Sequence, residues 1–426
     1  MDRAPPQSAV VSRIHIVGAG LSGLAAGIRL AAEGRHVVIY ESSGHAGGRC
    51  RSFHDSVLDC MIDNGNHLLL SGNRSAQAFL RDVGSEDTLT GPPDAAFPFV
   101  DLTTDERWTV RLNAGRFPWW IFQPDSRPPG SSAREFLSIL KLACARPEAT
   151  IGELFGNAGP IFTRFMAPLA VAALNTPVDT AAARPLWAVF KETFGQGGAA
   201  CRPLIARDGL SRSFVDPALS RLSSLGAEIR FNRRLKQAAV FNSMVTRLEF
   251  GDDGVDVAAD DTVVLALPPA GLKAVLPMIS VPEASHAIVN AHFKLPASLP
   301  TASDSPILGI IGGVAEWVFV RGQVVSVTVS AADRLADNDA SEIRDMIWRD
   351  VAQALRLPYG PPPSRIVKER RATFAQTPEA MLLRPATKTA FANLYLAGDW
   401  TDTGLPATIE GAIRSGQKAA AAILSA

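Results

Sequence analysis

A short apolar run, Ile14-His15-Ile16-Val17, leads straight into Gly18-Ala-Gly20-Leu-Ser-Gly23 and then into an Ala- and Leu-rich stretch ending at Glu33. That order restricts the N-terminus to a buried strand turning sharply into a helix. Gly18 permits the tight turn, Gly20 lets backbone come close to phosphate oxygens, and Gly23 lets helix and strand pack together. A helix starting there offers free N–H groups and partial positive charge to a pyrophosphate. Gly34 ends the helix, and Val37-Val38-Ile39-Tyr40 delivers Glu41 about twenty residues beyond the glycines, where a carboxylate takes ribose hydroxyls and argues against a 2′-phosphate. Glycine turns also occur for purely structural reasons. Strand, helix, strand and terminal acid in that order mark a dinucleotide-binding unit.

The residues after Glu41 and a second motif near the C-terminus narrow the dinucleotide. Ser42-Ser43-Gly44-His45-Ala46-Gly47-Gly48-Arg49 resembles the extended fingerprint of the glutathione-reductase-like FAD superfamily, in which acid, paired glycines and arginine follow the second strand. Asn393-Leu-Tyr-Leu-Ala397 reads as an apolar strand, Gly398 as a turn, and Thr408 to Ala422 as a helix. The resemblance implies FAD as cofactor. Gly48 then passes close to the dinucleotide, Arg49 offers a planar guanidinium to a phosphate, and Asp399 approaches the ribityl chain and phosphate. Thr408 and Ile409 open a helix whose positive end meets the flavin pyrimidine edge and stabilises the anionic reduced form. Leu21, Ser22, Ser42, Asn64, Gly65, Asn66 and Leu235 complete the implied contacts.

At 426 residues and 47% hydrophobic content, the chain exceeds one ordinary domain and has enough apolar material for large cores. Lys and Arg (42) balance Asp and Glu (42), so no global basic field favours nucleic acid as a partner. Cys50, Cys60, Cys144 and Cys201 show neither metal-ligand nor C-x-x-C spacing and read as reduced thiols. Met1 to Ser12 lacks an apolar h-region and reads as a loose arm. No stretch reaches the roughly twenty apolar residues of a spanning helix. The expected location is the cytoplasm, or the inner face of the cytoplasmic membrane through peripheral contact.

The expected fold class is α/β: a Rossmann-like, glutathione-reductase-like FAD-binding domain with a mixed-sheet substrate domain and a helical insertion. Its segments are 1–70, 206–272 and 386–426 for the FAD domain, 71–205 for the insertion and 273–385 for the rest of the substrate domain. Phe136 to Cys144, Ile151 to Phe155, Phe162 to Leu174 and Arg184 to Phe194 read as helices of the insertion. Glu316 to Val320 and Gln323 to Ser330 read as strands joined at Arg321-Gly322. Ser341 to Leu355 reads as an amphipathic helix with Ile343, Ile347, Val351 and Leu355 on one face.

The chain further resembles the amine-oxidase and carotenoid-desaturase branch of FAD enzymes, and within it the squalene-associated FAD-dependent desaturases. Ala173-Leu-Asn-Thr-Pro177, Gly197-Gly-Ala-Ala-Cys-Arg-Pro-Leu204, Phe214-Val-Asp-Pro217 and Asn290-Ala-His-Phe293 carry that narrower likeness. It implies reductive removal of the allylic hydroxyl of hydroxysqualene to give squalene, on a bacterial route toward hopanoids. An acid protonates the leaving hydroxyl, the C–O bond ionises, and the cation takes hydride from N5 of reduced FAD in a chamber closed to water. Phe117, Trp119, Trp120, Phe122, Phe162, Phe165, Met166, Trp187 and Phe190 are candidates to line such a tunnel, or to be ordinary core. Asp63 or His67 is the expected acid, with Asn64 orienting the alcohol; each also fits a structural role. Asp402, His292 and Lys294 are further options.

No second glycine fingerprint appears, so electrons are expected from transiently bound reduced nicotinamide or from a separate reductase. Rival readings are a carotenoid desaturase, a flavin amine oxidase, or a flavin-free prenyl-binding protein of the GDP-dissociation-inhibitor kind. An aromatic cage with an aligned lysine favours the amine, and loss of the flavin signature favours the non-enzyme. Glu41, Arg49 and Gly398-Asp399 are all intact here.

Overall fold

The computed structural model describes residues 12–156, 159–251, 253–299 and 305–426. Almost all of the expected N-terminal arm lies outside the described residues. The first unit is β1 (Arg13–Val17), α1 (Leu21–Ala32) and β2 (His36–Tyr40). The chain returns to the same sheet as β3 (Glu228–Arg230), β4 (Thr262–Leu265) and β5 (Leu394–Leu396), and ends in α2 (Ile409–Leu424). The strands run in the order β3-β2-β1-β4-β5, all parallel. The apolar residues of β1, β2, β4 and β5, nearly all buried, suit a sheet covered on both faces.

One face carries α1 and α2, whose Leu24, Leu30, Ile413 and Ala420 pack with Ile16 and Ile39. The other face carries a three-stranded antiparallel sheet, Gln237–Phe241, Met244–Phe250 and Asp253–Asp256, through Val245, Leu248 and Phe250. Buried His15 fixes β1 between its neighbours, with Nδ1 3.0 Å from the Tyr40 hydroxyl and Nε2 3.2 Å from Asp261. Burial lowers its pKa despite the carboxylate.

The first and last fifths of the chain meet where α2 crosses α1. Glycine is needed there, since a Cβ at Gly416 would lie 2.1 Å from the Ser22 carbonyl oxygen. A second bond ties α2 inward: buried Glu410 accepts the N–H groups of Ser75 and Ala76 at 2.9 and 2.8 Å. Arg414 bridges Glu410 to Glu192, at 2.9 and 2.6 Å.

A seven-stranded mixed sheet forms the second layer, in the order 364–374, 285–294, 324–329, 317–321, 307–311, 95–101, 106–112. One face packs on the helix Ala340–Leu355 through Ile343, Ile347 and Val351, as the periodicity predicts. The stretch 71–205 is less helical than expected, because Ala95–Asp101 and Glu106–Leu112 are paired strands of this sheet. An unbroken apolar run such as Ala95 to Val100 carries no period that separates a buried strand from a helix. The remaining helices form near their expected places, with two departures. Ala133–Cys144 winds as a 3-10 helix. Phe162–Met166 widens to a π turn just before Pro168, which has no N–H to give the Arg164 carbonyl.

Gly416→Val is expected to cost about 3 kcal/mol through overpacking against α1. A urea unfolding curve measures the shift in midpoint; an unchanged midpoint contradicts this packing account.

Candidate active site

The two layers enclose one cavity of about 1270 Å³, larger than the roughly 300–1,000 Å³ typical of small-molecule sites. Gly18, Gly20, Leu21, Ser22, Glu41, Ser42, Gly48, Arg49 and Leu235 line it from the N-terminal and central segments. Gly398, Asp399, Thr408 and Ile409 line it from the C-terminal segment, and Asn64, Gly65, Asn66 and His67 from the link between the layers. Of the residues expected to hold the cofactor or to act as the acid and its helper, Gly23 and Asp63 are elsewhere, as are the further options discussed below.

Gly23 is a packing residue: a Cβ there would sit 1.9 Å from the Gly18 carbonyl oxygen. Gly18 holds φ +110°, a conformation that favours glycine. Gly20 differs from both, because nothing lies within 4 Å of a Cβ built on it, so its open side faces the cavity. No side chain caps α1, leaving its first N–H groups for a ligand anion. Glu41 holds the turn meanwhile, accepting the Ala19 and Ser43 N–H groups, each at 2.9 Å. Thr408 caps α2 by accepting the Gly411 N–H at 3.1 Å, so a second helix N-terminus opens on the same cavity.

Arg49 lines the cavity and is also paired within the protein. Its guanidinium donates to Asp399 at 2.8 Å and to the Ala372 carbonyl, so it clasps the C-terminal segment, and the carboxylate raises its pKa further. Any phosphate contact must share it with Asp399. Glycine cradle, two helix N-termini and a buried Asn66 Oδ1 with no hydrogen-bond partner together suit a large anionic dinucleotide with a polar ring system.

The other end of the cavity is apolar, walled by Phe97, Leu186, Phe190, Phe194, Trp317 and Phe319. Among the nine expected tunnel residues, Phe190 alone is in this wall. Trp120, Phe162, Phe165 and Met166 are core, Trp187 packs beside that core, and Phe117, Trp119 and Phe122 are exposed. Aromatic content marked the region but could not separate wall from core.

A polar strip crosses this apolar wall. Asn66 Nδ2 lies 3.2 Å from Thr328 Oγ1, which donates to Asn290 Oδ1 at 2.8 Å. Asn290 Nδ2 reaches the Asn64 carbonyl at 3.4 Å. Farther along, Ser330 donates its N–H to Glu316 at 2.7 Å, and the neighbouring Ala331 N–H reaches Asn175 Oδ1 at 2.7 Å. Asn175, Ser330 and Thr373 also line the cavity. Burial pushes the Glu316 carboxyl up to about 7. Asn175 and Asn290 stand in stretches that carried the family likeness, which gave them no place in the wall; nothing in the sequence marked Glu316, Thr328 or Ser330 as more than strand residues.

The expected acids are placed unfavourably for that task. Asp63 does not line the cavity, and its Oδ1 accepts from Ser52 Oγ at 2.6 Å and the Leu210 N–H at 2.9 Å. Its Oδ2 pairs with Arg321 at 2.7 Å, so it holds the two layers together. His67 does line the cavity, but burial lowers its pKa to about 4 even with Asp63 opposing, so the imidazole is neutral at pH 7. His292 is fully buried beside Ser326, and Lys294 donates to the Leu58 carbonyl at 2.6 Å. Neither these two nor Asp402 lines the cavity.

Residues 21–424 match the family model described as flavin containing amine oxidoreductase. The chain belongs to this family. It is 45% identical over 97% of its length to hydroxysqualene dehydroxylase of Sinorhizobium fredii, covering 98% of that protein. The same name belongs to a Rhodopseudomonas palustris protein, 45% identical with 97% and 98% covered, and to one from Zymomonas mobilis, 43% identical with 97% and 100% covered. Among solved structures, an oxidoreductase from Methanosarcina mazei aligns with TM-score 0.71 at 15% identity, covering 97% of this chain and all of that one. A putrescine oxidase aligns with TM-score 0.69, also at 15%, covering 97% and 99%. These two share the fold. The chain is thus an FAD-dependent oxidoreductase of this family, and the cavity is where its flavin fits.

Gly20→Val is expected to fold, since a Cβ there has no protein atom within 4 Å, while losing bound flavin. Flavin absorbance per mole of folded protein checks this, and a variant retaining full flavin contradicts the cradle. Asp63→Asn breaks a largely buried pair and is expected to cost about 3 kcal/mol in urea unfolding. Unchanged stability with lost turnover would return Asp63 to the acid role.

Proposed function

We propose that this enzyme reductively removes the hydroxyl of hydroxysqualene to give squalene. The carrying observation is a single cavity that joins the glycine cradle to an apolar chamber, with one strip of hydrogen-bonding groups on its wall. The names of relatives at 43–45% identity support the same substrate. Bound reduced FAD supplies the hydride. The chain's own residues hold the hydrocarbon and exclude water through Phe97, Leu186, Phe190, Phe194, Trp317 and Phe319, whose aromatic members also steady a developing cation. Asn64, Asn66, Asn290 and Thr328 orient the hydroxyl, and neutral His67 serves as a hydrogen-bonding partner, not as a proton store.

The amine-oxidase alternative loses support because Lys294 is spent on backbone carbonyls outside the cavity. The described residues form one parallel dinucleotide-type sheet, in keeping with reduced nicotinamide bound transiently or a separate reductase as electron source.

No helix among the described residues is long and apolar enough to cross a membrane. The insertion nevertheless exposes Phe117, Trp119, Phe122, Leu137 and Leu140, with Trp119 62% accessible and 4.4 Å from Phe117 between ring centres. Trp120, next to Trp119 in the chain, is not part of this surface and is buried against Phe136. Exposed Arg111, Arg116, Arg134, Lys141 and Arg146 accompany the patch. Apolar rings with basic neighbours suit an anionic bilayer from which so greasy a substrate arrives.

Purified enzyme, reduced and mixed anaerobically with hydroxysqualene, is expected to yield squalene and oxidised flavin in equal amounts. Flavin that stays reduced while the alcohol persists refutes the substrate. For the surface, Trp119→Ser with Leu140→Ser is expected to reduce co-sedimentation with anionic liposomes at least tenfold; equal sedimentation rejects the docking site.

A further inference from the structure

We infer that Glu316, acting through the Ser330 hydroxyl, supplies the proton that departs with the substrate's oxygen as water. The inference rests on the dehydroxylation reading and adds the identity of its proton store. Ser330 is in the cavity wall, two residues beyond Thr328 and on the same side of the strand. Its N–H donates to Glu316 Oε2 at 2.7 Å, which sets the Ser330 side chain beside that carboxyl, where it moderates the rise in pKa that burial causes. Glu316 lies between Ala315 and the wall residue Trp317 and is half-buried; it does not itself line the cavity and reaches it through Ser330.

The backbone here is held in an uncommon shape. Asn175 and Ala331 both adopt φ +46° without being glycine, and they bond each other across the wall. Asn175 Nδ2 then anchors to the His286 carbonyl at 3.2 Å and Thr373 Oγ1 at 3.0 Å. Strain of this kind collects at functional sites.

Glu316 differs from the ion-paired carboxylates of the molecule. Asp63 has Arg321, Asp399 has Arg49 and Glu410 has Arg414, whereas Glu316, like Glu41 and Asp350, has no ion-pair partner among the described residues. From the helix packed beneath, Asp350 faces this stretch and takes the N–H groups of Val314 and Ala315 at 2.5 and 2.9 Å. With its carboxyl up to about 7, Glu316 keeps a substantial protonated fraction at neutral pH, which His67 does not.

In the step, the Ser330 hydroxyl proton moves to the substrate hydroxyl as the C–O bond breaks. Both bonding electrons leave with oxygen, and water departs. The Glu316 proton passes to Ser330 Oγ, leaving a carboxylate. The allylic cation accepts hydride from the reduced flavin, and a solvent proton reloads Glu316.

The test uses flavin-loaded enzyme, wild type, Glu316→Gln, Glu316→Asp and Ser330→Ala. Infrared difference spectra need no substrate and are expected to show a protonated-carboxyl band that disappears with a midpoint of about 7 and is missing in Glu316→Gln. In single turnovers, Glu316→Gln and Ser330→Ala are expected to slow flavin reoxidation by about 10²–10⁴-fold with flavin content unchanged. The wild-type rate is expected to fall as pH rises through 7, because the neutral carboxyl is the active form; Glu316→Asp keeps that dependence and Glu316→Gln loses it. A Glu316→Gln enzyme as fast as wild type at every pH, or no titrating band, overturns the inference alone. Wild-type enzyme inert toward hydroxysqualene overturns the substrate reading and, with it, this role.

Discussion

The contact between α1 and α2 governs the rest of the molecule. Because Gly416 lets α2 lie against the Ser22 carbonyl, β5 is brought to β4 and β4 to β1, and residues nearly four hundred positions apart share one cavity. The closure also points two helix N-termini, at Gly20 and Thr408, into the same space. Each carries about half a positive charge. Their combined field suits an anion at either end of a dinucleotide, and Arg49 adds little to it, since Asp399 already neutralises it.

Strand periodicity then divides the second layer into a packing face and a working face. Val289, Ala291, Val318, Val327 and Val329 turn toward the helix Ala340–Leu355, while Ile288, Asn290, Trp317, Phe319 and Thr328 turn toward the cavity. A period of two residues sets both. The same alternation therefore builds a dry hydrophobic core on one side and a mixed wall on the other. Slipping any of these strands by one residue would exchange the two faces and put Asn290 and Thr328 into the core.

The fold was legible where its signals are local. Gly18 to Gly23, Glu41, and Gly398 to Thr408 each declare a turn or helix end within a few residues, so the dinucleotide half of the site followed from short motifs. The reaction chamber follows from long-range contacts that leave no such trace. Asp63 is explained by Arg321, Asn175 by Ala331, which is 156 residues away, and Glu316 by a neighbour across a strand pair. Phe165 and Phe190 are the same residue type in one helical region, yet the first is core and the second wall. Their difference lies in what the opposite sheet presents.

A neutral acid also suits the electrostatics of an apolar chamber. A carboxylate ionised at rest would draw water into the space, and water returns an allylic cation to alcohol. Burial prevents this in Glu316 by disfavouring its charged form. Once the proton has moved, the same low polarity acts in the opposite sense, since carboxylate and cation appear together and attract each other. At an effective dielectric of about 20, unit charges ~7 Å apart attract by about 2 kcal/mol, an attraction absent from the ground state and present as the C–O bond breaks. An interaction confined to the breaking bond lowers the barrier without tightening substrate binding.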